Sequence, residues 1–520
     1  MGKELLSGNE AIARGAMDAG ISVATAYPGT PSTEILEYVA AHADGIHAEW
    51  SVNEKVALET AIGASYSGVR VMCSMKHVGV NVAADPLMTL AYTGTKGGLL
   101  LVAADDPGMH SSQNEQDSRN YAKFAKILCI EPYNPQEAYD MAKESFILSE
   151  KMGLPVMLRT LTRLSHVSAP AETGPAAERK KPDLKIDTKE WVMIPAHARA
   201  RLKVLNEKQK MVQTLADESR FNWVKKTGKE KVGVIAFGSA YNYAAEYAGK
   251  EYAMMKVATY PFPEKKIKEF LVGLENVIVF EECEPILEEK IRCMHPNVEG
   301  KLTGKIPKEG ELTPEIAAKA YGKEISAPKN IGIQLPPRPP SLCPGCPHTS
   351  LYNSLKKVAP TIIAGDIGCY TLGVGMGTLH TCLCMGAGIS QAAGMSHSGL
   401  TRVAAVIGES TFLHSGITAL MNAVYNNANI LVLILDNSSV AMTGHQPTPL
   451  SGMTATGKAG GKISLEEIVK ACNVASLDVL DPYKEDEVEK IIRKRLEEDG
   501  VKVIISRGLC IIVKKRMMKK

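Results

Sequence analysis

No stretch of the 520-residue sequence approaches the roughly 18 consecutive apolar residues that a membrane helix requires, so no membrane-spanning helix is expected. The opening MGKELLSGNEAIARG carries charges throughout and lacks an apolar core. A secretory signal is therefore not expected, and the cytoplasm is the default location. An excess of one charge is also missing. Sixty Lys and Arg against 57 Asp and Glu leave a formal charge of +3, too little for a nucleic-acid-binding surface. The basic tail Lys514-Lys515-Arg516…Lys519-Lys520 is short and reads as a solvated terminus. Aromatics make up only 5% of the residues, and Met is common. The 11 Cys are odd in number and lie in a chain with no secretory signal, so free thiols or metal ligands are expected rather than a disulfide framework.

The length allows three or four domains at roughly 150 residues each. Strand candidates ISVATAYP (21–28), GVRVMCSM (68–75), GGLLLVAA (97–104) and LPVMLR (154–159) alternate with helical patterns over residues 1–168. Such alternation predicts a parallel sheet covered on both faces. The stretch 168–190 is rich in Pro, Lys and Glu and reads as a surface linker, leading into a basic helical segment; linker and helix together occupy 169–230. Residues 231–326 form a smaller α/β block, with VGVIAFGSA and ENVIVFEE as strands. A Pro-rich linker at 327–342 precedes a third block, 343–520, which again alternates strand and helix.

In TRVAAVIGESTFLHSGITALMNAVYNNANILVLILDNSS (401–439), Thr401–Gly408 and Ile430–Asp436 read as strands. The helix between them is expected to be capped by Ser410 or Thr411 and to run to about Tyr425. Parallel sheets bind ligands beyond the carboxyl ends of their strands. Gly408, Glu409, Ser410, Asp436 and Asn437 all fall at such ends. A helix N-terminus suits an anion, and carboxylate, amide and backbone oxygens suit Mg²⁺. An ordinary capped turn fits these residues equally well.

The segment resembles the G-D-G/S…N motif of thiamine diphosphate enzymes, with Asn437 standing 28 positions after Glu409. It departs from that motif in having Glu where the family has Asp. The resemblance implies cofactor contacts from Gly408 and Ser410, and Mg²⁺ held by Glu409, Asn437 and the Ser439 carbonyl. Such enzymes also need a buried carboxylic acid at N1′ of the aminopyrimidine, for acid–base work through the cofactor. SVNEKVALETAIGASYSG (51–68) is similar to their E-x-x-A-x-x-x-A-x-G helix and implies Glu54 as that acid, with Ala57, Ala61 and Gly63 as the small residues. Ser51 and Glu54 also fit a capping box, with Glu54 in its third helical position. MGAGISQAAGM (385–395) resembles the stretch that holds thiamine bent, with Met385 as the wedge.

Cys343-Pro-Gly-Cys346-Pro-His348, GDIGCY with Cys369, and SRGLC with Cys510 could together hold one 4Fe–4S cluster. Buried apolar cysteines are the plainer reading. This set resembles the thiamine-binding subunit of 2-oxoacid:ferredoxin oxidoreductases. Carried over, the cluster ligands are Cys343, Cys346, Cys369 and Cys510, with Cys382 and Cys384 as rivals. YPGTPSTE (27–34), MKHVGVNVAADPLMTLAYTG (75–94), ADDPGMHSSQNEQDSR (104–119) and LDNSSVAMTGHQP (435–447) narrow the resemblance to the large (alpha) subunits of indolepyruvate:ferredoxin oxidoreductases.

That family implies an α/β fold with pyrimidine- and diphosphate-binding parallel-sheet domains and a small transketolase C-terminal-like domain between them. It implies Thr30, His77 and His110 at the substrate and His445 at the cofactor. It further implies oxidative decarboxylation of an aryl 2-oxo acid, coenzyme A as acyl acceptor, ferredoxin as electron acceptor and a smaller beta subunit in an α2β2 assembly. The family's usual C-terminal run of C-x-x-C-x-x-C is absent from this sequence. A non-oxidative 2-oxoacid decarboxylase and a non-catalytic cofactor-binding subunit remain as alternatives.

Overall fold

The computed structural model describes residues 2–325, 332, 336 and 339–518. They form two compact units, Met1–Lys329 and Asn330–Lys520. The 327–342 linker lies for the most part outside the described residues. Among the described residues, no helix is long and apolar enough to cross a membrane.

The first unit is built on a seven-stranded sheet in the order Thr259–Tyr260, Leu128–Ile130, Val156–Leu161, Leu99–Asp105, Arg70–Lys76, Ile21–Ala26, His47–Trp50. Every neighbouring pair is parallel except at the Thr259–Tyr260 edge. The central strand Leu99–Asp105 is buried along its whole length. An unbroken apolar run is what a strand covered on both faces requires. The helices Gly8–Asp18 and Pro135–Met152 pack together closely. Gly15 permits this approach, because an added Cβ would strike the carbonyl oxygen of Tyr139.

Ser168–Thr173 departs from the expected surface linker. It is a strand running antiparallel to Gly2–Ser7, in register from Ser7–Ser168 to Gly2–Thr173. The chain beyond it is largely exposed but still tied down, with Ala177 N–H donating to Asp18 O and Asp183 N–H to Ser67 O, both at 2.8 Å. The basic segment is a 24-residue helix, Pro195–Glu218.

A second sheet in the same unit has the order Val298–Glu299, Asn276–Phe280, Val232–Phe237, Tyr252–Val257, Trp223–Lys225. Two fully buried arginines lie in one ion-pair network, through which Arg119 joins this sheet to the first. Arg159 Nε lies 2.6 Å from Asp105 and its Nη1 2.5 Å from Glu131. Arg119 Nη2 lies 2.6 Å from Asp117, and its Nη1 2.7 Å from Glu281, which follows the strand Asn276–Phe280. Burial raises Glu131 and Glu281, whereas the two arginines hold Asp117 at about 2 against its own burial.

The second unit has one all-parallel sheet: Ile362–Ala364, Val403–Gly408, Ile430–Asp436, Val501–Arg507, Ser476–Leu480. Its faces bury two separate apolar clusters, one around Ile389, Leu420 and Val469, the other around Leu351, Leu355 and Ile492.

Arg119→Ala leaves Glu281 in the interior without its arginine and Asp117 with only Arg159, 3.6 Å away. It should destabilise the chain by about 3–5 kcal/mol, read as a lower urea midpoint. An unchanged midpoint would mean that the network contributes nothing to stability.

Candidate active site

In the first unit the polar groups gather at the carboxyl ends of the parallel strands. Glu54 is the first residue of the helix Glu54–Tyr66, and the cap is Asn53, whose side chain accepts from Val56 N–H at 2.8 Å. This overturns the capping box. Ser51 N–H is committed to Ala26 O, and Ser51 Oγ donates to Glu49 Oε1, each at 2.8 Å. Glu54 is only 5% exposed and lies against Gly79, where an added Cβ would sit 2.6 Å from Glu54 Cγ and 2.7 Å from Oε1. Ala57 and Ala61 are fully buried beneath the same helix, whereas Gly63 faces open space.

Thr30 sits in the turn after Ile21–Ala26, and its carbonyl accepts from Ser111 Oγ at 3.4 Å. Lys76 ends the strand Arg70–Lys76 and donates to Ser111 O at 2.6 Å. The next residue, His77, is fully buried with Nε2 3.1 Å from Asn114 O. His77 Nδ1 and Ser74 Oγ are buried without a hydrogen-bond partner among the described residues. Thr30 and His77 thus meet the same short segment, 111–114. His110 does not join them. It is half exposed and points to Glu311, 3.2 Å away, along a cavity of about 660 Å³ that Arg163, Tyr243 and Glu282 also line.

Sequence reasoning missed Lys76. Burial lowers its ammonium to about 8, partly offset by the Asp106 carboxylate. Asp106 is itself held by Ser111 N–H, Ser112 Oγ and Thr162 Oγ1 at 2.6–2.8 Å. The available signal was a lysine closing an apolar strand, VMCSMK.

In the second unit the helix after Val403–Gly408 starts earlier than expected. Gly408 is its N-cap, Glu409 its first residue, and Ser410 and Thr411 lie inside the first turn. A π-helical turn, Phe412–Gly416, leads into Ile417–Tyr425. Gly408 is needed for close packing, since an added Cβ would strike the Tyr370 ring. Tyr370 is anchored by its hydroxyl, 2.5 Å from Ile367 O and 2.7 Å from Thr411 Oγ1.

The Glu409 carboxylate is 2% exposed and accepts the backbone N–H groups of Ser439, at 2.9 Å, and of Asn437. Burial pushes it up to about 8, and the nearby Asp436 carboxylate adds to the shift. Asp436 itself turns to Arg507, 2.7 Å away. The Asn437 amide nitrogen lies 3.1 Å from His348 Nε2. Asn437 Oδ1 and Ser439 Oγ are buried with no partner among the described residues. An unbalanced buried carboxylate beside an orphaned amide oxygen and hydroxyl is a donor set that fits a hard divalent cation.

Asp366 was also missed. Its carboxylate takes the N–H groups of Gly386 at 2.8 Å and Gly388 at 3.0 Å, and burial raises it to about 6. It thereby fixes the start of the helix Ala387–His397 and the turn that carries Met385, whose carbonyl accepts from Ser415 Oγ at 3.1 Å. His445 stands at φ +74° with Nδ1 buried and unpartnered among the described residues. Burial and the nearby Arg516 lower it.

The cysteines divide into two groups. Burial raises Cys369 to about 12, and Cys346, Cys510 and Cys343 all lie near enough to add to the shift. Cys346 N–H donates to Cys343 O at 2.9 Å. Cys382 and Cys384 instead feel Asp366 and, for Cys382, each other. The first four therefore share one neighbourhood. Among the described residues, no three His, Cys, Asp or Glu side chains close around a single ion.

Residues 14–230 match the family described as "Pyruvate flavodoxin/ferredoxin oxidoreductase, thiamine diP-bdg". Residues 366–506 match "Thiamine pyrophosphate enzyme, C-terminal TPP binding domain". Indolepyruvate oxidoreductase subunit IorA of Archaeoglobus fulgidus is 42% identical over 98% of this chain and 87% of its own length. The same subunit of Pyrococcus abyssi is 41% identical over 98% of this chain and 86% of its own. A 2-oxoglutarate:ferredoxin oxidoreductase from Magnetococcus marinus shares the fold at TM-score 0.52 and 19% identity, over 62% of this chain and 65% of that one.

Proposed function

The chain belongs to the indolepyruvate:ferredoxin oxidoreductase alpha-subunit family, enzymes that decarboxylate 2-oxo acids oxidatively with thiamine diphosphate, and on that premise we propose residue roles for an arylpyruvate substrate. The observation that carries the reading is the buried, unpartnered Asn437 amide oxygen beside Glu409 at the carboxyl end of a parallel sheet. Its relatives are named as subunits, and this chain is one subunit of a multi-subunit enzyme. A smaller beta subunit in an α2β2 assembly, coenzyme A as acyl acceptor and ferredoxin as electron acceptor complete the proposal.

Glu409, Asn437 and Ser439 would hold Mg²⁺, whose charge would offset that of the diphosphate and of the buried carboxylate. Gly408 and Ser410 meet the diphosphate at the helix start, while Met385 and His445 contact the cofactor. Thiamine diphosphate, when bound, supplies the nucleophilic carbon for the 2-oxo carbonyl and accepts the electron pair released with CO₂. Glu54 holds a proton at the aminopyrimidine N1′ in a site that excludes water. Lys76 pairs with the substrate carboxylate, and Thr30 and His77 orient the oxo group. His110 is retained as a pocket residue at the outer edge of its cavity. Cys343, Cys346, Cys369 and Cys510 would hold one 4Fe–4S cluster, which would supply a one-electron relay.

Glu54→Gln should lower turnover at least about 100-fold, the usual weight of a positioned acid–base group, while thiamine diphosphate still binds. Equal turnover would remove Glu54 from the chemistry. Anaerobically purified enzyme should contain iron and sulfide that Cys369→Ser loses. Intact decarboxylation without iron would instead establish the non-oxidative alternative. The Lys76 ammonium, lowered to about 8, is charged below that pH and neutral above it. KM for the 2-oxo acid should therefore stay flat below pH 8 and rise above it, and Lys76→Arg should remove the inflection. A flat wild-type profile to pH 9 would dismiss Lys76 as the carboxylate's partner.

A further inference from the structure

We propose that His348 is a positioning residue that fixes the Asn437 amide so that its carbonyl oxygen faces the divalent cation. The inference rests on the cation reading given above and adds to it a residue that touches neither cation nor cofactor.

The amide of asparagine is nearly symmetric in shape but not in chemistry: one end only donates, the other only accepts. A cation needs the oxygen, so a site built on asparagine must select one of two flips. The backbone of Asn437 is already fixed on both sides. Its N–H goes to the Glu409 carboxylate, and its carbonyl accepts from Cys510 N–H at 3.2 Å. Only the side-chain flip remains to be set. His348 Nε2 stands 3.1 Å from Asn437 Nδ2. A ring nitrogen facing an NH₂ group must accept, which leaves the ring proton on Nδ1. The amide oxygen is then turned away from the ring, and there it is buried without a partner among the described residues. With the ring proton on Nδ1, the opposite flip would set two acceptors, Asn437 Oδ1 and His348 Nε2, against each other.

The histidine is itself held. It is 3% exposed, in the first turn of the helix Pro347–Val358. The Tyr370 ring meets it edge-on, with centroids 6.4 Å apart at 79°. Its neighbour Cys346 is the N-cap of the same helix. One helix start thus carries a cluster cysteine and the residue that orients a cation ligand, but through different atoms.

The test uses the assembled enzyme after its cofactor and metal have been removed, with Mn²⁺ titrated by electron paramagnetic resonance in the presence of thiamine diphosphate. His348→Phe and His348→Met remove the acceptor in two shapes. Both should weaken Mn²⁺ binding about tenfold or more, the usual weight of a residue supporting a metal ligand. His348→Gln, which returns an acceptor at similar reach, should recover the affinity. Iron content should stay at the wild-type level in all three. Asn437→Ala is the control. If it leaves Mn²⁺ binding unchanged, the cation reading itself falls. If it weakens binding while His348→Phe and His348→Met do not, the positioning role falls. Equal weakening by His348→Gln, or iron loss in step with Mn²⁺ loss, would also overturn it, by making His348 a general packing residue.

Discussion

Parallel strands cannot be joined by hairpins, so their carboxyl ends all open on one edge and their connections must return across the faces. This constraint organises each unit. In the first, the turn with Thr30, the Lys76–His77 step and the Asp105–Asp106 pair all follow strand ends. In the second, Asp366, Gly408–Glu409, Asp436–Asn437 and the segment from Arg507 to Cys510 do the same. The sheets contribute almost no chemistry along their length, where Leu99–Asp105 and Ile430–Asp436 are buried throughout. What they supply is a rigid rim on which polar groups from distant parts of the chain are held at hydrogen-bond range.

That rim also explains which side chains carry perturbed acidity. Glu409, Asp366 and Lys76 are all withdrawn from water at strand ends, and burial is the first cause of each shift. Their partners are mostly backbone N–H groups or a single opposing charge. Asp117 differs, because two arginines already answer its charge.

Much of this was legible in the sequence, because strands buried on both faces announce themselves as apolar runs. Val232–Phe237, Asn276–Phe280, Val403–Gly408 and Ile430–Asp436 fall where those runs are. Features decided by distant contacts were not legible. Ser51 and Asn53 are equally good local caps, and Asn53 takes the role because Ser51 is tied to Ala26 at the sheet edge. Ser168–Thr173 carries Pro and polar residues, and its strand exists only because Gly2–Ser7 pairs with it. The Glu54, Glu409 and cysteine segments stood out in the sequence through their resemblance to known motifs. Lys76, His348 and Asp366 did not, since each matters through a partner at least 20 positions away.

The buried arginine network has an evolutionary corollary. Arg119 and Arg159 share Asp117 and between them hold Asp105, Glu131 and Glu281. A change at any one of these six positions removes a charge from a buried network that has no water to replace it. Single-step drift is therefore closed to them. Sequences descending from this one can alter the network only by paired replacement, so these six positions should travel together through a lineage.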